Sequence, residues 1–142
     1  MKEVTTYLDC YNRPTELTKA QLDWFHSIVD HCKAATGCTV DIIAYDHDLY
    51  GGKSVDALGC CVVYDMKHRE KDARSCITID CFFITEEYDR IFNRGWNLSG
   101  ETLEHVIAHE IAHLFVWNHG KKHSDMTEEL YRKIQEYGQA AA

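Results

Sequence analysis

Apolar residues recur at helical spacing near the N-terminus of the chain. Over residues 18–35 they fall on one face of an α-helix, because residues three and four apart lie on the same side of a helix. Thr18 precedes the pattern as a suitable N-cap, and Gly37 follows it as a suitable end. The pattern therefore predicts an N-terminal helix. Its apolar face consists of Leu22, Phe25, Ile28, Val29 and Cys32.

Three apolar and β-branched segments follow this helix. They are residues 39–45 (TVDIIAY), 57–64 (ALGCCVVY) and 75–83 (SCITIDCFF), and runs of this length and composition favour strands. A polar loop over residues 46–56 separates the first two segments. The charged sequence KHREKDAR, residues 67–74, separates the last two and predicts a solvated hairpin turn. Together the segments predict a small, three-stranded, mostly antiparallel sheet.

The region after the predicted sheet begins irregularly and then becomes strongly apolar. Residues 89–100 contain two glycines and show no clear periodicity. Residues 100–118 are apolar around most of the circumference of a helix, which is typical of a helix buried on nearly all sides. Ser99 is the expected N-cap of this helix, and Gly120 closes it.

A last amphipathic helix is predicted over residues 124–137, with Met126 among its inward-facing residues. The tail over residues 138–142 is expected to be disordered. The order of elements predicts an α+β fold in one domain over residues 1–142.

Composition narrows the class of protein. The chain is 45 % hydrophobic and 27 % charged, as in soluble globular proteins. Its net charge of −8 and its scattered basic residues argue against a nonspecific grip on nucleic acid. No apolar run approaches the roughly 18 residues that span a bilayer, and residues 1–5 lack the apolar core of a secretory signal. We therefore expect a cytoplasmic protein without a membrane partner.

The seven cysteines are odd in number and contain no CxxC pair. Cys60 and Cys61 are adjacent and would point to opposite faces of a strand, which makes them poor disulfide partners. Free cysteine is among the most buried residue types, so we expect small buried side chains. A set of disulfides or a second metal site is the alternative.

The sequence His109-Glu110-Ile111-Ala112-His113 is an HExxH motif inside the predicted buried helix. Side chains four residues apart share one helical face, so both imidazoles can bind one metal ion at about 2.0–2.1 Å. Glu110 is placed to act on a water at the metal without being a ligand. Burying these three side chains without partners would cost several kcal/mol. The motif therefore predicts a Zn²⁺ site that hydrolyses an amide bond, with Glu110 as general base.

A catalytic zinc needs a third protein ligand and an open position. His119 is favoured, because it follows His113 by one short turn and stands next to a glycine. His123 is the first alternative. An acidic ligand, Glu128 or Glu129, is the second, although both lie closer to His113 in sequence than the glutamate ligand of gluzincins does.

Residues 109–130 (HEIAHLFVWNHGKKHSDMTEEL) resemble the active-site region of SprT-like and related small single-domain zincin metallopeptidases. In that family a third histidine follows the HExxH helix in a short turn, and a further helix follows. Asn118-His119-Gly120 matches this turn. The resemblance implies a zincin-like fold and a zinc ion held by His109, His113 and His119. It also implies a protein or peptide substrate that pairs with the edge strand of the sheet, which we assign to residues 76–81.

The chain also departs from that family. Many SprT-like proteins have an aromatic residue where His123 stands. Many also carry a zinc ribbon with paired CxxC motifs, and residues 1–142 contain no such motif. The family is associated with clearing proteins crosslinked to DNA, which the acidic net charge does not support. The histidine spacing equals that of metzincins, but Val116 occupies their glycine position, and Met126 is too close to form a Met-turn.

Several other residues and functions stay open at this point. His105 either orients a ligand or is a partly exposed helix residue, and Tyr131 either stabilises an oxyanion or packs in the core. A zinc-binding interaction module without catalysis and a zinc hydrolase for small amides are the alternatives to a peptidase. Four further histidines are expected to be surface or satisfied residues: His26, His31, His47 and His68.

Overall fold

The computed structural model describes residues 2–47, 58–96 and 99–138. These ranges form a mixed α+β protein, which confirms the predicted fold class at that level. The predicted loop over residues 46–56, apart from its first two residues, and the tail beyond residue 138 lie outside the described residues. The elements in chain order are β1 (Thr6–Leu8), β2 (Pro14–Glu16), α1 (Lys19–Thr36), β3 (Asp41–Tyr45), β4 (Gly59–Val62), β5 (Cys76–Asp80), α2 (Cys81–Phe92), α3 (Leu103–Ala112) and α4 (Lys121–Glu136).

The three-stranded sheet has the order β3-β5-β4. β5 pairs in parallel with β3 and antiparallel with β4, so the prediction of a mostly antiparallel sheet is wrong. The assignment of residues 76–81 to an edge strand is also wrong, because β5 is the central strand. Four of the five residues of β5 are buried, whereas every residue of β4 is half-buried. A nearly continuous buried run is typical of a strand that is paired on both sides.

Three elements were absent from the prediction, namely β1, β2 and α2. β1 and β2 form a short antiparallel hairpin, in which Tyr7 is buried and its hydroxyl bonds Thr85. α2 begins directly after β5, where the sequence predicted that the strand would continue to Phe83. The aromatic and apolar residues at the junction are compatible with either a strand or a helix. The helical spacing of Phe83, Ile84 and Glu87 becomes visible only when the strand is ended at Asp80.

The first and last helices pack against each other and against α3. α1 has the predicted cap: the Thr18 side chain accepts from the Gln21 N–H at 3.1 Å, and the Gln21 side chain accepts from the Thr18 N–H. Gly37 ends the helix with a φ of 74°, the left-handed conformation that glycine adopts without strain. α4 begins at Lys121, three residues earlier than predicted.

The cysteines are free thiols, and six of the seven are buried or half-buried; Cys10 alone is exposed. This confirms their prediction as small buried side chains. Met126 is likewise packed against the core. Within the described ranges, no helix combines the length and apolar character needed to cross a membrane.

Candidate metal centre

The N-terminus of α3 is held by two side chains. The Thr102 hydroxyl accepts from the His105 N–H at 3.2 Å, so Thr102 and not the predicted Ser99 is the N-cap. Oε2 of the fully buried Glu87 accepts from the Leu103 N–H at 2.9 Å. A carboxylate at a helix N-terminus also interacts favourably with the helix dipole. These bonds fix the start of the helix that carries the HExxH motif.

α3 ends at Ala112, six residues before the predicted end. The last turn tightens, because the N–H groups of His113 and Leu114 donate to carbonyls only three residues earlier, at 3.1 and 3.0 Å. The apolar run that predicted a longer buried helix then continues into a turn in which Phe115 and Trp117 are exposed. The early end allows the chain to fold back towards the motif.

The structure brings together the three histidines that the sequence predicted as ligands. Nε2 of His113 lies 3.3 Å from Nε2 of His109 and 3.1 Å from Nε2 of His119. Nε2 of His109 and Nε2 of His119 are 3.3 Å apart. Nitrogens bound to one zinc ion at about 2.0–2.1 Å in tetrahedral geometry stand about 3.3 Å from one another. The three atoms therefore have the spacing of three corners of a tetrahedral site.

The protonation states of His113 and His109 also suit metal binding. The Val116 carbonyl, which can only accept, lies 3.3 Å from Nδ1 of His113, so this nitrogen carries the hydrogen and Nε2 carries the lone pair. Burial first, and then repulsion by the neighbouring histidines, lowers the pKa of His109 to about 4 and also lowers the pKa of His113. Three facing nitrogens cannot all hydrogen-bond one another, and the group to which they belong could hold a metal ion.

Glu110 lies beside this cluster on the same helix. Its Oε1 is 3.8 Å from Nε2 of His109, while its Oε2 is buried and has no hydrogen-bond partner among the described residues. Burial raises the pKa of Glu110 to about 7. A buried carboxyl oxygen without a partner is costly, and a water held at the three histidines would supply one. Glu110 is not among the residues of the group that could hold a metal ion.

His123 is buried behind the three histidines and stacks on the His113 ring, with ring centroids 4.0 Å apart. The four histidines form a group whose candidate ligand atoms lie within 4.8 Å of one another, and this group could hold a metal ion. However, Nε2 of His123 donates to the His109 carbonyl at 3.0 Å. That hydrogen bond joins α4 to α3, so His123 supports the position of His109.

The cluster lies at one side of a cleft of about 610 Å³ between β4 and α3. β4 is one of the two edge strands of the sheet and lines the cleft with Gly59, Cys60 and Cys61. Gly59 faces the motif so closely that a Cβ on this residue would lie 2.9 Å from Cγ of Glu110. The sequence pattern led us to predict the wrong strand as the edge of the sheet at the cleft. It did not indicate the close approach of Gly59 to Glu110.

The remaining candidates lie outside the cluster. His105 is at the rim of the cleft, where its ring nitrogens bond Glu101 at 2.8 Å and Glu128 at 2.9 Å. Burial lowers the pKa of His105, but the bonds and charges of the two carboxylates outweigh it and raise the pKa overall. Glu129 is exposed and pairs with Lys133. Neither Glu128 nor Glu129 is in the group that could hold a metal ion, so an acidic third ligand has no support.

Tyr131 packs edge-on against His105 and places its hydroxyl 3.5 Å from the Thr102 hydroxyl. Tyr131 is not among the described residues that line the cleft, so an oxyanion role has no support. The other four histidines are satisfied by partners away from the cleft, as expected. These partners are Glu3 for His26, the Ile134 carbonyl for His31, Thr78 for His47 and Asp65 for His68.

Comparison of the chain with protein-family models, with curated proteins and with solved structures gave no match. The function therefore has to be inferred from the residues and the geometry of the site.

Proposed function

We propose that the chain is a zinc-dependent metallopeptidase. One observation carries the proposal: three histidine Nε2 atoms stand 3.1–3.3 Å apart beside a buried carboxyl oxygen that has no partner among the described residues. Imidazole ligands in tetrahedral geometry favour zinc. His109, His113 and His119 would hold the ion, which leaves a fourth position open for catalysis.

The chemistry divides between the ion and the chain. Zinc would polarise the substrate carbonyl and make water a stronger acid. Glu110 would accept the proton of the attacking water and pass it to the leaving amine. A general base works best when its pKa is close to the working pH, and burial raises the pKa of Glu110 to about 7. This environment suits both halves of the proton transfer.

The shape of the cleft favours an extended peptide as substrate. β4 is an edge strand, and no described strand pairs with its outer side. An extended peptide could add to that edge through main-chain hydrogen bonds, which give affinity with little sequence preference. The scissile bond would then lie between β4 and the three histidines of α3 and the following turn. A small amide would use only part of a cleft of about 610 Å³.

The test compares zinc content and cleavage in matched variants. Purified protein should contain about one zinc per chain and should cleave a denatured protein substrate. Glu110→Gln should keep the zinc and lose cleavage, whereas Glu129→Gln, which changes an exposed residue paired with Lys133, should retain both. Zinc-loaded protein that cleaves no faster than Glu110→Gln would contradict the proposal.

A zinc-binding module without catalysis is the second candidate, because His123 belongs to the same group of four histidines. A fourth histidine ligand would close the coordination sphere, as in structural zinc sites. X-ray absorption of the zinc-loaded protein separates the two candidates. Three imidazoles with an oxygen ligand support the peptidase, and four imidazoles support the module.

A further inference from the structure

Residues 63–75, which connect β4 to β5, form tight turns. The His68 N–H donates to the Asp65 carbonyl at 3.2 Å, and the Asp72 N–H donates to the His68 carbonyl at 2.9 Å. The Asp65 and Asp72 side chains accept further bonds from the same segment. Most of the segment is exposed or half-exposed, as predicted for a charged turn. Arg69 lies within these turns and points towards the metal helix instead of into solvent.

Arg69 makes four contacts, and three of them join this segment to the turn after α3. Its Nε donates to the carbonyls of His113 and Leu114, both at 3.1 Å. Its Nη1 donates to the Met66 carbonyl at 2.8 Å. Its guanidinium also lies over the Trp117 ring, 5.6 Å from the centroid, within the range of a cation–π interaction. One side chain therefore holds both sides of the turn that follows the motif.

The position of these contacts bears on the metal centre. The last carbonyls of a helix have no partner within it, and a positive charge at that end is favourable. Here the carbonyls that Arg69 bonds belong to the C-cap residue His113, a proposed ligand, and to Leu114, just beyond the helix. The same turn supplies the Val116 carbonyl that fixes the His113 ring, and it leads within three residues to His119. Movement of this turn would displace two of the three ligands.

We infer that Arg69 is a positioning residue of the metal centre: it fixes the turn over residues 113–117 so that His113 and His119 meet the same ion. This inference rests on the zinc site of the proposed function, but not on catalysis. Lysine cannot replace the arrangement, because an ammonium lacks the planar fork that reaches several carbonyls at once. Side chains that orient metal ligands typically contribute 10–100-fold to affinity.

Arg74 offers a matched control in the same segment. It also lies over an aromatic ring, with its guanidinium 5.3 Å from the Tyr64 centroid, and it also forms several hydrogen bonds. Its side-chain partner, however, is Asp72 within its own segment, and it is exposed. Arg74→Met makes the same change of side chain as Arg69→Met, and it does not alter a contact with the turn after α3.

The experiment measures the zinc dissociation constant by competition with a chelator for wild type, Arg69→Met, Arg69→Lys and Arg74→Met. We expect zinc binding to weaken about 10–100-fold in Arg69→Met, less in Arg69→Lys, and less than about twofold in Arg74→Met. Circular dichroism of each zinc-free protein shows whether it is folded. If Arg69→Met is not folded, the zinc affinity of Arg69→Lys is compared with that of Arg74→Met instead. The absorption spectrum of the cobalt-substituted proteins should change in Arg69→Met and not in Arg74→Met.

The outcomes separate this inference from the proposed function. Equal zinc affinity and equal cobalt spectra in Arg69→Met and Arg74→Met would overturn the role of Arg69, even if the protein cleaves peptides. A large loss specific to Arg69 in a protein that cleaves nothing would support the role of Arg69 and contradict the peptidase. A wild-type protein that binds no zinc overturns both.

Discussion

Gly59 and Glu110 approach each other so closely that the cleft has no room for a β-carbon between them. A Cβ on Gly59 would lie 2.9 Å from Cγ of Glu110 and 3.2 Å from Cγ1 of Val106. Gly59 is in a strand and not in the left-handed region, so alanine is compatible with its backbone. The absence of a side chain at this position therefore serves the placement of the carboxylate.

We expect Gly59→Ala to lower the catalytic rate constant by about 10–100-fold, because the added methyl displaces Glu110 from its position, and misplacements of about 1 Å can cost this much. Zinc content should not change, since none of the three atoms nearest to the added Cβ belongs to a histidine. Steady-state cleavage of a peptide and metal analysis are the measurements. Val62→Ala, at the far end of the same strand, should keep the wild-type rate. A Gly59→Ala protein as active as Val62→Ala would refute the steric argument.

The parts of the site that the sequence predicted are those set by local geometry. His109, Glu110 and His113 are related by helical spacing alone, and His119 follows within one turn, so a correct motif places all four near one point. Gly59 could not be predicted in this role, because it depends on strand order. The alternating and apolar patterns of β4 and β5 identify strands without showing which of them is at the edge.

The end of α3 shows a second limit of sequence patterns. Leu114, Phe115, Val116 and Trp117 continue the apolar run of the helix, and apolar periodicity alone favours a longer helix. The helix ends at Ala112, and the carbonyls of the next two residues, His113 and Leu114, accept hydrogen bonds from Arg69, in a segment more than forty residues away. Such tertiary contacts override local propensity, and the residue that makes them was predicted as part of a solvated turn.

The two candidate ligands after the motif should respond differently to substitution. His119→Ala removes a nitrogen that faces the other two histidines, so zinc affinity should fall more than about 100-fold, beyond the effect of residues that only orient ligands. His123→Phe keeps a ring to stack on His113 but loses the bond to the His109 carbonyl, so affinity should fall about tenfold or less. Chelator competition measures both. Equal losses would identify His123 as a fourth ligand.

Glu110 should make the stability of the zinc-free protein depend on pH. Its pKa is about 7 in the folded protein, against an ordinary value of 4.5. Between these values the folded state keeps the proton and the unfolded state has released it, so stability contributed by this group falls as pH rises through the window. Glu110→Gln removes this dependence. The free energy of unfolding of wild type should therefore fall relative to Glu110→Gln by up to about 3 kcal/mol between about pH 4.5 and about pH 7.5.

Urea denaturation in the presence of a chelator measures this difference. Both proteins contain the same histidines, whose titration cancels in the comparison. A constant difference between wild type and Glu110→Gln across that pH range would show that the carboxyl group is solvated in the folded protein.

The thiols should react at very different rates. Cys10 is exposed, whereas burial raises the pKa of Cys38, Cys60 and Cys61, the last to about 12. The thiolate is the reactive form, so raised pKa values slow the reaction. A disulfide reagent at neutral pH should therefore label one thiol per folded chain rapidly, and Cys10→Ser should abolish this fast phase. A fast phase that survives Cys10→Ser would show that one of the buried or half-buried cysteines is an accessible thiolate.

Glu87 should be a main contributor to the stability of the motif helix. Its fully buried carboxylate accepts from the Leu103 N–H and pairs with Arg90. Glu87→Gln keeps the shape but leaves the Arg90 charge without its carboxylate, so the free energy of unfolding should fall by about 1–3 kcal/mol. Glu104→Gln, which removes a charge from the first turn of the same helix, should cost less than about 1 kcal/mol, as helix-dipole effects do. Chemical denaturation measures the free energy of unfolding of both variants. Equal small losses in Glu87→Gln and Glu104→Gln would mean that Glu87 acts only through the helix dipole.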